Sequence, residues 1–150
     1  MLYLAAVDLF RHLLPQHSAQ RARHPGEEVR PIQARIMRAG GVAEPTDVIL
    51  ETTSGAFLED VMSQYREFEQ EGLKAEGSGP DLISVKRAAG RSKTGSIVSI
   101  TTCVDGRSTD FIKQGKPIGS GVLARDDNYF ARVDGLLKVV GADGKEVESC

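Results

Sequence analysis

Ser96–Ile97–Val98–Ser99–Ile100–Thr101–Thr102–Cys103–Val104–Asp105–Gly106 is the stretch that decides the fold. Val98, Ile100 and Val104 alternate with Ser99, Thr101 and Cys103. That is the period of a half-buried strand, with the cysteine on the less apolar face. Asp105–Gly106 then supplies a hairpin signal. On either side of this strand, Leu82–Ala88, Ser108–Lys113, Val122–Val133 and Leu136–Val140 also read as strands. Asp134–Gly135 is a second hairpin signal, and Gly115–Lys116–Pro117 is a tight connection. Asp126–Asp127–Asn128 is polar in mid-strand and implies a bulge or an extra turn. Gly119–Ser120–Gly121 reads as an edge or bulge, and Asp143–Gly144 as a final turn before Cys150. The expected arrangement is one antiparallel meander.

Before this region the pattern is helical. Gly77–Ser78–Gly79–Pro80 marks the changeover. The clearest helix is capped by Ser54 and stopped by Gly72, with Glu59 and Asp60 toward the positive end of its dipole. Phe57, Leu58, Val61, Met62, Tyr65 and Phe68 form its apolar stripe. Pro45–Thr46–Asp47 opens a shorter helical turn with Asp47 as N-cap. Leu2, Ala6, Leu9 and Leu13 give a first helix over Leu2–Leu14, ended by Pro15. Residues 17–45 form a basic stretch broken by Pro25–Gly26 and Pro31; it reads as a solvated linker or as a patch for an anionic partner. Within it Ile32, Ile36 and Met37 form a short amphipathic helix closed by Gly40–Gly41. Residues 1–75 are thus mainly helical and residues 80–150 are strands, which predicts a single α+β domain over 1–150.

The totals agree with a globule. The 150 residues are 40% hydrophobic and 27% charged, with a formal charge of −2. There is no nucleic-acid footprint in that balance, and no run reaches the ~20 apolar residues of a membrane span. Leu2–Leu14 lacks a basic leader and a small-residue cleavage site, so an export leader or membrane anchor would belong to a segment missing here, or export works some other way. The histidines His12, His17 and His24 show no ligand spacing with the cysteines, so no metal site is expected. No glycine-rich phosphate loop occurs in the required strand–turn–helix context, and no cofactor is expected. Cys103 and Cys150 read either as two free buried thiols or as a disulfide. Position favours the bridge, because a cysteine that closes the sequence has little packing role. Such a bridge contributes about 4 kcal/mol in the chain-entropy account and belongs to an extracytoplasmic protein, secreted or associated with the cell envelope.

Several phrases occur together: Thr53–Ser54–Gly55–Ala56–Phe57–Leu58, Thr102–Cys103–Val104–Asp105, Asp134–Gly135–Leu136–Leu137–Lys138–Val139, and a closing cysteine. In this order, over about residues 46–150, the chain resembles the nuclear transport factor 2-like (SnoaL-like) superfamily. More narrowly, it resembles small exported or lipoprotein domains of actinobacteria with that fold. Leu137 stands where that pattern has tryptophan. The resemblance implies a cone-shaped, curved antiparallel sheet wrapped around helices, with the Cys103–Cys150 bridge. Phe57, Val61, Tyr65, Phe68, Val98, Ile100 and Val122 would line its interior.

The fold hosts enzymes and non-catalytic modules alike. Isomerases, dehydratases and cyclases that share it place a carboxylate or a His–Asp pair in the cone, beside a hydroxyl donor. Asp60 and Asp110 are the candidate acids here, and Tyr65 and Tyr129 the candidate donors. The inward strand positions are expected to read Val98, Ile100, Val104, Val122 and Ala124. That leaves no acid inside and favours a non-catalytic exported domain that binds a protein, an envelope component or a small apolar ligand. The alternatives are a small-pocket isomerase, dehydratase or cyclase, and an accessory protein of a phage or conjugative element. A homodimer through the open sheet face is compatible with the resemblance.

Overall fold

A computed structural model describes residues 32–90, 92, 93 and 95–150. The expected helix Leu2–Leu14, the three histidines and the basic stretch up to residue 31 lie outside the described residues. Three helices come first: α1 (Ile32–Ala39), α2 (Asp47–Thr52) and α3 (Gly55–Glu71). Seven strands follow: β1 (Leu73–Gly77), β2 (Asp81–Arg87), β3 (Val98–Asp105), β4 (Thr109–Lys113), β5 (Lys116–Ser120), β6 (Leu123–Val133) and β7 (Leu136–Glu146). The chain is therefore α+β, helices before antiparallel strands.

The stripe on α3 forms as its spacing requires. Phe57, Val61, Met62, Tyr65 and Phe68 are all buried, and Gly72 ends the helix at φ 62°, a left-handed angle that glycine adopts without a Cβ penalty. Ser54 occupies the N-cap position but makes no side-chain capping bond. On α2 the cap is Thr46 rather than Asp47, its Oγ1 accepting from the Ile49 N–H at 3.5 Å. α1 covers Ile32–Ala39 and ends at Gly40 and Gly41, both with positive φ.

Two sheets replace the single meander. One has the order β1-β4-β5, the other β2-β3-β6-β7, and every pair is antiparallel. The Asp105–Gly106 turn is the point of departure. It does not close a hairpin, because β4 pairs with β1 and β5 and not with β3. The Arg107 N–H donates to Asp105 Oδ1 at 3.1 Å, and the Gly106 N–H donates to the Val122 carbonyl at 2.9 Å. These bonds carry the chain from one sheet to the other. Gly121 closes the same junction from the far side, donating to the Thr109 carbonyl at 2.8 Å. A Cβ there would lie 2.3 Å from the Gly106 carbonyl oxygen, so this contact is backbone against backbone.

β1 is a short strand that begins inside the stretch read as mainly helical, up to residue 75, and β5 is a short strand where the sequence reads a tight connection and an edge or bulge. β7 continues past Val140 to Glu146, and Asp143–Gly144 pairs with Asp127 and Asp126 instead of turning. β6 also runs unbroken through Asp126–Asn128; the irregularity sits between Tyr129 and Phe130, against β7. The Asp134–Gly135 hairpin is as read, with φ 50° and 80°, the positive pair of a type I′ turn. Gln114–Gly115 makes the equivalent turn at β4–β5, with φ 51° and 75°.

The core lies between α3 and the sheets. Ile36, Met37, Ile49 and the α3 stripe pack with Ala75, Phe130 and Val139. Phe68 meets Phe111 of β4 edge-on at 5.9 Å, joining helix to the smaller sheet. Each large side chain so buried contributes about 1.5–3 kcal/mol.

Candidate functional site

Strand alternation sorts the middle of the larger sheet into two faces. On the outer face Ser99, Thr101 and Cys103 stand opposite Tyr129, Asp127 and Arg125. These in turn stand opposite Gly141, Asp143 and Lys145 of β7. β2 adds Ser84 beside Cys103 and Lys86 beside Thr101. Cys103 and Cys150 form a disulfide with Cα atoms 6.1 Å apart. It pins residues 147–150 over this face. The Val147 N–H donates to the Leu123 carbonyl at 2.9 Å, and Arg125 Nη2 reaches the Ser149 and Cys150 carbonyls at 3.4 Å each. A groove of about 620 Å³ lies alongside, with the disulfide in its wall and Lys86, Arg87, Arg125, Lys145, Asp127 and Asp143 around it.

The acids of this groove are already engaged. Asp143 accepts from Lys93 Nζ at 2.8 Å and from the Tyr129 hydroxyl at 3.0 Å, while Lys93 also lies 5.1 Å from the Tyr129 ring centre. The Lys93 ammonium holds the Asp143 carboxyl below its ordinary range. Burial, and then the hydrogen bond to Asp143, push the Tyr129 phenol up. Asp127 accepts from the Thr101 hydroxyl. Lys86, Arg87 and Lys145 make no ion pair among the described residues. Among the described residues the groove lining therefore holds more cations than acids, a balance suited to a carboxylate or phosphate.

The inner face holds a second polar group. Thr102 stands opposite Asp126, and Ile100 opposite Asn128. Asn128 is fully buried; its Nδ2 donates to Thr102 Oγ1 at 3.2 Å and to the Ile100 and Asp126 carbonyls at 3.4 Å. Its Oδ1 has no partner among the described residues. Asp126 is 4% exposed, and burial, then the neighbouring Asp127 charge, raise its carboxyl to about 6. The inward positions thus include an acid that a list of aliphatics at Val98, Ile100 and Val104 does not anticipate.

Phe57, Val61, Tyr65 and Phe68 all reach the core, and Val98 and Ile100 pack half-buried against it. Val122 is 39% exposed and lies just ahead of β6, at the Gly106 junction and not inside. Asp60 is exposed on α3. Asp110 is exposed on β4 and accepts from the Ser120 hydroxyl at 2.6 Å. Tyr65 is buried in the core, whereas Tyr129 is buried on the outer face of β6. Asp60 and Tyr65 share α3 but differ in burial, one exposed and one in the core, and Asp110 and Tyr129 stand on strands of different sheets, so the four candidate catalytic groups do not form one site. Among the described residues no cluster of three or more His, Cys, Asp or Glu can hold a metal ion, and no helix is long and apolar enough to cross a membrane. The groove cations were missed because lysine and arginine on a strand read as solvated. The one available signal was Arg125, Asp127 and Tyr129 at a spacing of two.

No family model and no curated protein matches the chain. Among solved structures, it is similar to the intermembrane space region of the chloroplast protein ARC6, with a TM-score of 0.52 and 13% identity over 77% of this chain and 88% of that one. It is also similar to a de novo designed β-sheet protein, with a TM-score of 0.37 and 12% identity over 77% of this chain and 82% of that one.

Proposed function

We propose that this chain is a non-catalytic binding domain of an oxidising, extracytoplasmic compartment. Its outer groove would hold an anionic segment of a partner protein or envelope component. We also take its helices and strands to be a nuclear transport factor 2-like cone. The observation that carries the binding reading is that Lys86, Arg87 and Lys145 make no ion pair among the described residues, around a groove whose acids are engaged. The disulfide supports the compartment, as does a fold shared with a domain from an intermembrane space. Phe57, Val61, Tyr65 and Phe68 are filled core positions, which favours the sheet face over the interior as the place for a ligand.

The test is fluorescence anisotropy with a labelled oligo-glutamate peptide, at low and at high salt. Saturable binding that weakens with salt and is abolished in the Lys86→Glu/Lys145→Glu protein is the expected result. Absent binding, or binding indifferent to both substitutions, would overturn the reading.

A second reading, a small-pocket isomerase, dehydratase or cyclase, draws support from Asp126. An inward carboxyl near pKa 6 is tuned for proton transfer near neutral pH. It loses that support if carbon-detected NMR finds Asp126 titrating below about pH 4.5, in the ordinary carboxylate range.

A further inference from the structure

A disulfide opens when a thiolate attacks one of its sulfurs and the other leaves as a thiolate. The reaction needs an accessible sulfur, and nearby cations favour the thiolate forms. The Cys103–Cys150 bridge meets both needs. Cys103 is 2% exposed whereas Cys150 is exposed, so an incoming thiolate reaches Cys150 Sγ and Cys103 is the sulfur that leaves. The row of facing positions across the sheet at this point runs Ser84, Cys103, Arg125 and Lys145. It holds a hydroxyl and two cations and no acid. Asp127 and Asp143 stand in the next row, engaged by Thr101 and by Lys93 and Tyr129. Glu148, though close to Cys150 in sequence, does not line the groove. Arg125 faces Cys103 across the β3–β6 ladder and donates to the Cys150 carbonyl at 3.4 Å, so this one cation flanks both cysteines.

Opening the bridge leaves the sheet paired. β3 is held by β2 on one side and β6 on the other, and residues 147–150 lie past the end of β7. The groove beside the bridge, about 620 Å³, falls within the roughly 300–1,000 Å³ of small-molecule sites. We propose that the Cys103–Cys150 bridge is a thiol-exchange site for a small thiol that carries carboxylates, drawn in by Arg125, Lys145 and Lys86. The ligand's thiolate bonds to Cys150 Sγ as the bond between Cys150 and Cys103 breaks. The electron pair of that bond leaves on Cys103 Sγ, beside Arg125, and solvent supplies its proton. One disulfide replaces another, so no further oxidant or reductant is needed. Attack of the Cys103 thiolate on Cys150 Sγ expels the ligand and restores the bridge. The site rests on the cationic groove of the binding reading and adds covalent capture to it.

The test mixes the native protein with glutathione, whose thiol is flanked by two carboxylates, and separately with cysteamine, whose thiol is flanked by an ammonium. Thiolate concentrations are matched. Samples are quenched in acid, alkylated in urea and followed by intact mass, with the adduct placed by peptide mapping. The expected result is a glutathione adduct on Cys150 and a freed thiol on Cys103. The ratio of the glutathione rate to the cysteamine rate should fall about tenfold in high salt, and again in the Lys86→Glu/Lys145→Glu protein. A native bridge that neither thiol opens overturns the proposal. So does an adduct on Cys103, or a rate ratio indifferent to salt or to the substitutions. Should the double variant fail to fold, the salt series on the native chain decides. Oligo-glutamate binding without charge-selective exchange strikes this site alone. Charge-selective exchange without that binding strikes the binding reading and leaves the site standing.

Discussion

The two halves of β6 solve opposite problems with the same backbone. From Tyr129 to Val133 the strand buries Phe130 against Val139 and the α3 stripe. From Leu123 to Asn128 it carries Arg125 and Asp127 outward, and Asp126 and Asn128 inward. The first half supplies stability through apolar area. The second half spends some of it, keeping away from water a carboxyl and an amide oxygen with no partner among the described residues. Polar residues that cost free energy in a fold mark the places where composition was not chosen for packing alone.

That contrast can be broken at the apolar end first. Phe130→Ala should cost about 3–5 kcal/mol in urea unfolding. A loss under 1 kcal/mol would mean the core lies elsewhere. Cys150→Ser, or reduction, should cost about 4 kcal/mol in the chain-entropy account; an unchanged melting temperature with and without dithiothreitol would show that the bridge contributes nothing. The polar end should behave in reverse. The Asp126 carboxyl sits near 6 in the fold against an ordinary 3.8. Its contribution is fully present below the lower value and is lost as pH rises through the upper one. Asp126→Asn should therefore stabilise by about 2–3 kcal/mol at pH 7.5 and by almost nothing at pH 4. Equal effects at both pH values would sink the assignment of that proton. Smallest of all, Lys145→Ala on the outer face should move stability by less than about 0.5 kcal/mol, while weakening the binding of an acidic peptide.

The sequence was legible where one local signal has one meaning. The α3 stripe and the Asp134–Gly135 turn are of that kind. Asp105–Gly106 was not, because the same dipeptide serves a hairpin or a crossing between sheets. Which it does is decided by Val122, a residue far along the chain. β1 and β5 are five-residue strands with glycine or proline in them, and they gain their pairing from each other's neighbour β4, not from propensity. Asp126 escaped notice because polar residues occupy both faces of β6 there, which erases the alternation that separates inside from outside.

The junction of Gly106 and Gly121 bears on how this chain can be cut and rejoined. Gly121 does not need its glycine for an unusual torsion; it needs the missing Cβ, because the opposing carbonyl occupies that space. New ends or inserted domains should be accepted at the exposed Asp134–Gly135 loop and refused at residues 106 and 121. In a library of insertions, that pair would appear as a seam with no survivors.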